Sequence, residues 1–217
     1  MGKYETVIFD LDGTLLNTLE DLCDSTNFAL TQFGYKKRTL AEVRSFVGNG
    51  IGKLIERALP QGLDNSDYSA VLACFKAHYA LNCNNKTKAY DGINGLLNEL
   101  KRRGMKVAVV SNKIDSAVNE LCERYFEGYF SVAIGEKENI RRKPAPDSVF
   151  AAMNRLNAEK RSTVYVGDSE VDVQTAKNAG IDLIAVSWGF RSKNELIKLG
   201  NFNIAATAEE LSLLIFN

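Results

Sequence analysis

The 217-residue chain has no excess of charge of either sign, since its 27 lysine and arginine residues equal its 27 aspartate and glutamate residues. A balanced chain gives no indication of binding to nucleic acid or to an anionic membrane, both of which attract positive charge. It also has no apolar run long enough to cross a bilayer, and its first apolar segment begins too early to leave room for a signal peptide. We therefore expect a cytoplasmic protein without nucleic-acid or membrane partners.

The four cysteines lack the paired spacing of a disulfide framework: Cys23, Cys74, Cys83 and Cys122. In a cytoplasmic chain we expect them to be reduced and buried. Cys74, Cys83 and the single histidine, His78, could be drawn as a metal site, but Cys74 and His78 fall in a helical stretch and no fourth ligand is evident. A core helix that contains a histidine is the better interpretation.

Short β-type segments alternate with helical patterns along the chain. Five segments rich in β-branched and aromatic residues are predicted strands, namely 6–10, 106–111, 132–135, 163–168 and 183–187. Among the predicted helices, 93–103 and 172–179 carry apolar residues on one face and are followed at once by glycine. This alternation predicts an α/β fold with a Rossmann-like, mostly parallel sheet covered by helices on both faces.

The gap between the first two predicted strands is far longer than the dozen or so residues that a crossover helix requires. It holds four helical patterns, Leu19–Phe33, Leu40–Phe46, Ile51–Leu59 and Tyr68–Tyr79, and then a polar return linker at 82–88. We predict an all-helical cap domain at 17–88, inserted into an α/β catalytic core formed by 1–16 and 89–217.

Two aspartates follow the first strand in the segment Asp10-Leu11-Asp12-Gly13-Thr14. Ligands of parallel α/β sheets bind at the carboxyl ends of the strands, which is where this segment lies. An ordinary acidic turn is the alternative, because Asp and Gly are common turn residues.

Polar groups also follow the other strands: Ser111-Asn112-Lys113, then Lys143-Pro144, then Gly167-Asp168 with Asp172. Each has an ordinary alternative, since Ser111 could cap a helix, Lys143 could be a solvated charge, and Asp168 and Asp172 could complement a helix dipole. Their placement at one edge of one sheet favours a common site.

This set suits phosphoryl transfer. Asp10 and Asp168 offer the oxygen ligands that Mg²⁺ prefers, and a metal would allow a carboxylate to attack a phosphate. Ser111, the backbone amides around Asn112 and the charge of Lys143 are suited to the phosphate oxygens. Asp12 is placed to protonate the leaving group and then to deprotonate the attacking water.

In order and spacing, these motifs resemble the four motifs of the haloacid dehalogenase superfamily, and the helical insert resembles that superfamily's cap. The resemblance implies Asp10 as nucleophile, Asp12 as acid/base and backbone-carbonyl metal ligand, and Ser111 and Lys143 as phosphate binders. It also implies Asp168 as a metal ligand supported by Asp172. The expected substrate-binding residues are Gly13, Thr14, Asn49, Gly50, Lys53, Ser111, Asn112 and Lys143.

Within the superfamily, dehalogenases lack the second aspartate of the first motif, so Asp12 favours phosphate chemistry. The glycine-rich segment 47–52 and the helix after it resemble the cap loop of phosphoglycolate phosphatases. Asn49 and Lys53 could meet a carboxylate such as that of glycolate, and the alternative is a helix–helix turn. The segment is not a P-loop, because its glycines are too close together and Leu54 follows Lys53.

We therefore expect a Mg²⁺-dependent phosphatase acting on a small phosphorylated substrate, 2-phosphoglycolate before others, as a monomer or homodimer. Inorganic pyrophosphatases and sugar phosphate phosphatases or mutases share much of the pattern and stay open as alternatives. A phospho-receiver module uses a similar residue set but places its acidic pair and its phosphorylated aspartate on different strands. A catalytically silent relative is a further alternative, although every expected catalytic residue is present.

Overall fold

The computed structural model describes residues 3–200 and 203–217. Within them the chain forms two compact units. The smaller unit is Asn17–Lys88, and the larger is formed by the chain on either side of that segment.

Eight strands lie in the described residues: β1 (Thr6–Phe9), β2 (Leu16–Asn17), β3 (Lys88–Ala89), β4 (Lys106–Ile114), β5 (Val132–Glu136), β6 (Thr163–Gly167), β7 (Asp182–Val186) and β8 (Ile204–Ala205). Six of them form one sheet in the order β5-β4-β1-β6-β7-β8, and each neighbouring pair in it is parallel. The predicted α/β fold with a mostly parallel sheet is therefore confirmed. The two-residue strands β2 and β3 pair where the chain leaves and re-enters the larger unit.

Six helices belong to the larger unit: α5 (Ile93–Arg102), α6 (Asp115–Phe126), α7 (Asp147–Leu156), α8 (Glu170–Ala179), α9 (Lys193–Lys198) and α10 (Ala208–Phe216). They cover both faces of the sheet, as the contacts of the central strand show. Successive residues of a strand point to opposite faces. In β1, Phe9 joins an apolar cluster with α5, α6 and α10, whereas Ile8 joins a second cluster with α7 and α8. This central strand is thus buried on both sides.

Four helices form the smaller unit: α1 (Leu19–Gln32), α2 (Leu40–Phe46), α3 (Gly50–Ala58) and α4 (Tyr68–Asn82). The buried carboxylate of Asp21 in α1 accepts hydrogen bonds from the backbone amides of Lys86 and Thr87 at 2.8–3.0 Å, and from Thr87 Oγ1 at 2.8 Å. These bonds hold the return segment against α1. The helices differ from the sequence prediction at their ends: α1 ends one residue earlier, α3 begins and ends one residue earlier, and α4 continues to Asn82.

The strand β4 is also longer than predicted, because it continues past residue 111 to Ile114. Its pairing with β5 shifts register after Val110 and resumes where Ile114 pairs with Glu136. A bulge of this kind has no clear signature in the sequence, since it depends on the partner strand. As a result, Asn112 and Lys113 lie within the strand with Ser111 and not in the loop after it.

Candidate active site

The register of the central strands brings the polar segments together. Phe9, the last residue of β1, pairs with Val109 on one side and with Val166 on the other. Asp10 follows at once, and its backbone N–H donates to the carbonyl of Val166 at 2.8 Å. Since β6 ends at Gly167, Asp168 also comes directly after a strand. The predicted site residues of the larger unit therefore lie at the carboxyl edge of one sheet.

Three carboxylates form a buried cluster at this edge. One oxygen from each of Asp10, Asp168 and Asp172 lies within 4.8 Å of the others, and the residues are 7%, 0% and 1% exposed. Burial raises the pKa of Asp10 to about 7, against the opposing effect of Lys143. Burial, followed by the charges of Asp172 and Asp10, raises the pKa of Asp168 well above its usual value. Carboxylate oxygens brought together in this way fit a hard divalent cation such as Mg²⁺.

Lys143 supplies a cation to the same cluster. Its Nζ donates to Asp10 Oδ1 at 2.7 Å, to Asp172 Oδ1 at 2.8 Å and to the hydroxyl of Tyr165 at 2.9 Å. Burial disfavours the charged form, but Asp10 and Asp172 outweigh it and raise the pKa of Lys143 well above its usual value. Lys143 therefore carries a full positive charge beside Asp10, although it is only 4% exposed.

The side chain of Asn112 forms hydrogen bonds with both the backbone N–H and the backbone carbonyl of Lys143. Its Oδ1 accepts from Lys143 N at 2.8 Å, and its Nδ2 donates to Lys143 O at 3.0 Å. The side chain of this predicted substrate-binding residue is thus engaged in placing Lys143. Ser111, on the same strand, is buried, and its Oγ accepts from the backbone N–H of Lys113 at 3.2 Å.

Asp172 combines a structural role with its place in the cluster. Its Oδ2 accepts from the backbone N–H groups of Asp168 and Ser169 at 3.2 and 3.1 Å, and from Ser169 Oγ at 2.7 Å. Ser169 is the N-cap of α8, and the two residues form a capping box. The helix-terminus interpretation of Asp172 therefore holds alongside its contact with Lys143.

The turn after β1 packs against Asp168. Gly13 has a φ of +92°, and a Cβ at this position would collide with the Asp168 carboxylate, so glycine is required there. Thr14 Oγ1 donates to Asp168 Oδ1 at 3.2 Å, and the backbone N–H of Phe190 donates to Oδ2 at 2.6 Å. Gly13 and Thr14, both predicted to bind substrate, thus contact the carboxylate of the predicted metal ligand.

Asp12 lies beside the cluster and is paired with a lysine from β4. Lys113 Nζ donates to Asp12 Oδ1 at 2.9 Å. Lys113 and Tyr165 belong to the site, although no role was predicted for either of them from the sequence. Lys113 stands inside a motif already noted, whereas Tyr165 was hidden in the apolar pattern of β6, and only its hydroxyl could have suggested a buried polar partner.

The remaining predicted site residues, Asn49, Gly50 and Lys53, lie together at the start of α3 in the smaller unit. Asn49 is the residue before the helix, and Gly50 begins it with a φ of +82°. Lys53 forms an ion pair with Glu56 at 2.7 Å. Their role toward substrate stays a prediction.

The four cysteines are free thiols. His78 packs its ring on Phe28, with centroids 4.0 Å apart, and its Nδ1 lies 3.0 Å from Ser25 Oγ. None of the helices in the described ranges is long and apolar enough to span a bilayer.

The fold and this site together define the chain as an α/β enzyme. The family model of haloacid dehalogenase-like hydrolases matches residues 7–186. The chain therefore belongs to the haloacid dehalogenase-like hydrolases, as the motifs predicted. Together with the relatives described next, this confirms the prediction of a phosphoric monoester hydrolase.

Several relatives agree with this assignment. The chain is 33% identical over 221 residues to a phosphoglycolate phosphatase of Pseudomonas syringae pv. syringae, covering 99% of this chain and 80% of the relative. It is 29% identical to a phosphoglycolate phosphatase of Aquifex aeolicus, covering 96% and 95% of the two chains. A crystal structure from Lactobacillus delbrueckii subsp. bulgaricus, provisionally assigned as a phosphoglycolate phosphatase, has a TM-score of 0.96 and 39% identity, with 99% of each chain covered.

Proposed function

We propose that this chain is a Mg²⁺-dependent phosphatase that hydrolyses 2-phosphoglycolate, a small phosphomonoester, through an aspartyl-phosphate on Asp10. The observation that carries the proposal is the buried group of Asp10, Asp168 and Asp172 with Lys143 Nζ 2.7 Å from Asp10. Such a group keeps a carboxylate and a cation side by side where a phosphate could enter. The names of the relatives support the choice of substrate.

Asp10, Asp168 and the backbone carbonyl of Asp12 would hold the metal, with Asp172 in support. When bound, Mg²⁺ would offset the negative charges of the carboxylates and the phosphate. A carboxylate oxygen of Asp10 attacks phosphorus, and the bond between phosphorus and the leaving oxygen breaks. Asp12 protonates that oxygen, so that the alcohol departs neutral.

Water then attacks the phosphorus of the aspartyl-phosphate while Asp12 accepts its proton. The bond between phosphorus and the Asp10 oxygen breaks, which releases inorganic phosphate and restores the carboxylate. Lys143 and Ser111 bind the phosphate oxygens in both steps, where positioning and charge account for most of the catalysis. The net reaction consumes one ester and one water.

Selection of the substrate requires groups beyond the sheet, because Asp10, Ser111 and Lys143 would meet the same phosphate in every ester. We assign this role to the smaller unit as a cap, with Asn49, Gly50 and Lys53 contacting the carboxylate of glycolate. The insertion of residues 17–88 directly after the first motif supports this assignment. A cap that closes would also exclude water from the reaction.

The proposal extends to cofactor, partners and location. Mg²⁺ is the cofactor, and the small phosphorylated substrate is the partner, with neither nucleic acid nor a membrane involved. The protein acts in the cytoplasm as a monomer or homodimer. The equal numbers of basic and acidic residues support the exclusion of polyanionic partners.

A phosphate-release assay with purified protein and Mg²⁺ tests the substrate, using 2-phosphoglycolate, pyrophosphate, sugar phosphates, nucleotides and a small aryl phosphate. We expect kcat/KM for 2-phosphoglycolate to exceed the others by about tenfold or more, since a matched polar contact is worth at least that. A higher value for pyrophosphate or for a sugar phosphate would replace the proposed substrate.

A double variant, Asn49→Ala with Lys53→Ala, tests the role of the cap. It should lower kcat/KM for 2-phosphoglycolate by about tenfold to hundredfold and leave the aryl phosphate nearly unchanged, because only the former carries a carboxylate. The control is Arg44→Ala, which removes a different cationic side chain from the smaller unit. Equal losses for both substrates would refute selection by these residues.

A further inference from the structure

Lys113 is a buried cation whose role the mechanism above does not include. Its Nζ lies 2.9 Å from Asp12 Oδ1, and the two side chains are 5% and 19% exposed. By comparison, the nearby pair of Lys137 and Asp115 is 36% and 30% exposed. Burying an ammonium group is costly unless it is paired, so the contact with Asp12 is an integral part of the fold and not a chance surface bridge.

The irregular end of β4 directs Lys113 toward Asp12. The pairing of β4 with β5 shifts between Val110 and Ile114, and bulges next to active sites commonly redirect a side chain. In the redirected segment Lys113 is buried and Ile114 is 49% exposed. Lys113 therefore points inward, to the side where Asp12 follows the neighbouring strand β1.

Three contacts fix the backbone of this segment. The N–H of Lys113 donates to Ser111 Oγ at 3.2 Å. On the side of β5, a Cβ at Gly135 would collide with the backbone of Asp115 and with the carbonyl of Lys113. The backbones of β4 and β5 therefore approach more closely here than any residue other than glycine allows. The Gly135 N–H also donates to Asp115 Oδ1 at 2.8 Å. The position from which Lys113 extends is thus well defined.

We propose that Lys113 is a positioning residue, which orients the carboxyl group of Asp12 for proton transfer to the leaving oxygen and from the attacking water. The terminal torsion of an aspartate is soft, and proton transfer needs its oxygen within hydrogen-bond reach of the reacting atom. A cation on Oδ1 restricts that torsion. This inference rests on the proposed function, because it requires Asp12 to act as the acid and base.

The test compares Lys113→Met, Asp12→Asn and the variant with both changes, each assayed with an alkyl phosphate and an aryl phosphate. In a single turnover, Lys113→Met should lower the rate of phosphoenzyme formation by about tenfold to hundredfold with the alkyl phosphate and by less with the aryl phosphate, because an aryl oxide needs less protonation. Hydrolysis of the phosphoenzyme should slow equally for both substrates. The substrate concentration that gives half of the maximal single-turnover rate should change by no more than about threefold, since Lys113 acts through Asp12 and not on the substrate. Lys113→Arg, which keeps the cation, should retain more activity than Lys113→Met.

The variant with both changes gives the sharpest result. If Lys113 acts through Asp12, adding Lys113→Met to Asp12→Asn should lower kcat by no more than about threefold further, because contacting residues are not additive. Lys106→Met is the matched control, since Lys106 begins the same strand and its Nζ donates to the carbonyl of Asn157. It should keep wild-type kcat.

Three results would overturn the inference: an additive loss in the variant with both changes, an equal loss for both substrates in the single-turnover rate of phosphoenzyme formation, or a change in the half-saturating substrate concentration alone. Thermal unfolding confirms that each variant is folded, and Lys113→Gln replaces Lys113→Met if the latter does not fold. Failure of the wild type to hydrolyse any phosphate ester would instead refute the proposed function, and the inference with it.

Discussion

The side-chain amide of Asn112 spans the main chain of Lys143, accepting from its N–H at 2.8 Å and donating to its carbonyl at 3.0 Å. Asn112 belongs to the predicted motif at 111–113 and Lys143 to the predicted motif at 143–144, so the two hydrogen bonds connect these two motifs. Lys143 in turn contacts Asp10 and Asp172. Asn112 therefore acts on the charge cluster through the backbone of the lysine.

Asn112→Ala should lower kcat/KM by about tenfold to hundredfold, because a displacement of about 1 Å in a catalytic group has an effect of that size. Asn119→Ala is the control, since Asn119 makes an exposed bond to the carbonyl of Asp115. Steady-state assays of both variants measure the difference. Similar activities for the two would show that the connection to Lys143 is unimportant for the reaction.

Mg²⁺ should raise the thermal unfolding midpoint of the wild type, because a ligand that binds only the folded state stabilises it. At about a hundred times Kd the gain is about 2.7 kcal/mol, which corresponds to a rise in Tm of roughly 5–10 °C for a chain of this size. Asp168→Ala should abolish most of this rise, whereas Asp147→Ala, which removes a half-buried carboxylate outside the cluster, should retain it. A full shift in Asp168→Ala would contradict metal binding by the cluster.

Tyr165→Phe removes a buried hydroxyl that accepts from Lys143 Nζ at 2.9 Å and donates to Asp172 Oδ1 at 3.2 Å. The free energy of unfolding should fall by about 1–3 kcal/mol, because charged partners lose a buried hydrogen bond. Urea unfolding measures this change, and kcat should fall as well. Tyr4→Phe, whose hydroxyl bonds to Asp182 away from the site, should keep its activity. Unchanged stability and kcat in Tyr165→Phe would refute this role of the hydroxyl.

We expect the carboxyl group of Asp182 to make the free energy of unfolding of the protein depend on pH. Hydrogen bonds from Lys3 and then from Tyr4 hold its pKa below the usual value. A lowered pKa in the folded state stabilises the protein above the unfolded value of about 3.9, and this contribution is lost as the pH falls through the folded value. The wild type should therefore exceed Asp182→Asn in unfolding free energy at neutral pH, by an amount that shrinks in acid. A difference that grows in acid would contradict the account.

The sequence predicted the parts of the fold and site that depend on local pattern. Asp10 and Asp168 each follow a short apolar run, and β1, β5, β6 and β7 lie within a residue or so of their predicted bounds. The strands β2, β3 and β8 were not predicted, because two residues carry no periodicity.

What the sequence did not predict depends on contacts between distant segments. The pairing of Lys113 with Asp12 follows from the register shift of β4 against β5, and the hydroxyl of Tyr165 meets Lys143 only after the sheet has formed. Neither contact is expressed in the local sequence. The hydrogen bonds of Asn112 to Lys143 were not predicted for the same reason, although Asn112 itself was predicted to belong to the site.

The central claim is that Asp10 becomes phosphorylated during turnover, and mass spectrometry of acid-quenched protein tests it most directly. The Asp12→Asn variant should be mixed with an aryl phosphate and Mg²⁺. The aryl oxide leaves with little protonation, so the phosphoenzyme still forms, and the loss of Asp12 as a base slows hydrolysis of that intermediate. We predict one phosphoryl group on the peptide that contains Asp10, and none when Asp10→Asn is added. Release of phosphate without a phosphorylated chain, or a phosphoryl group on another residue, would contradict the account.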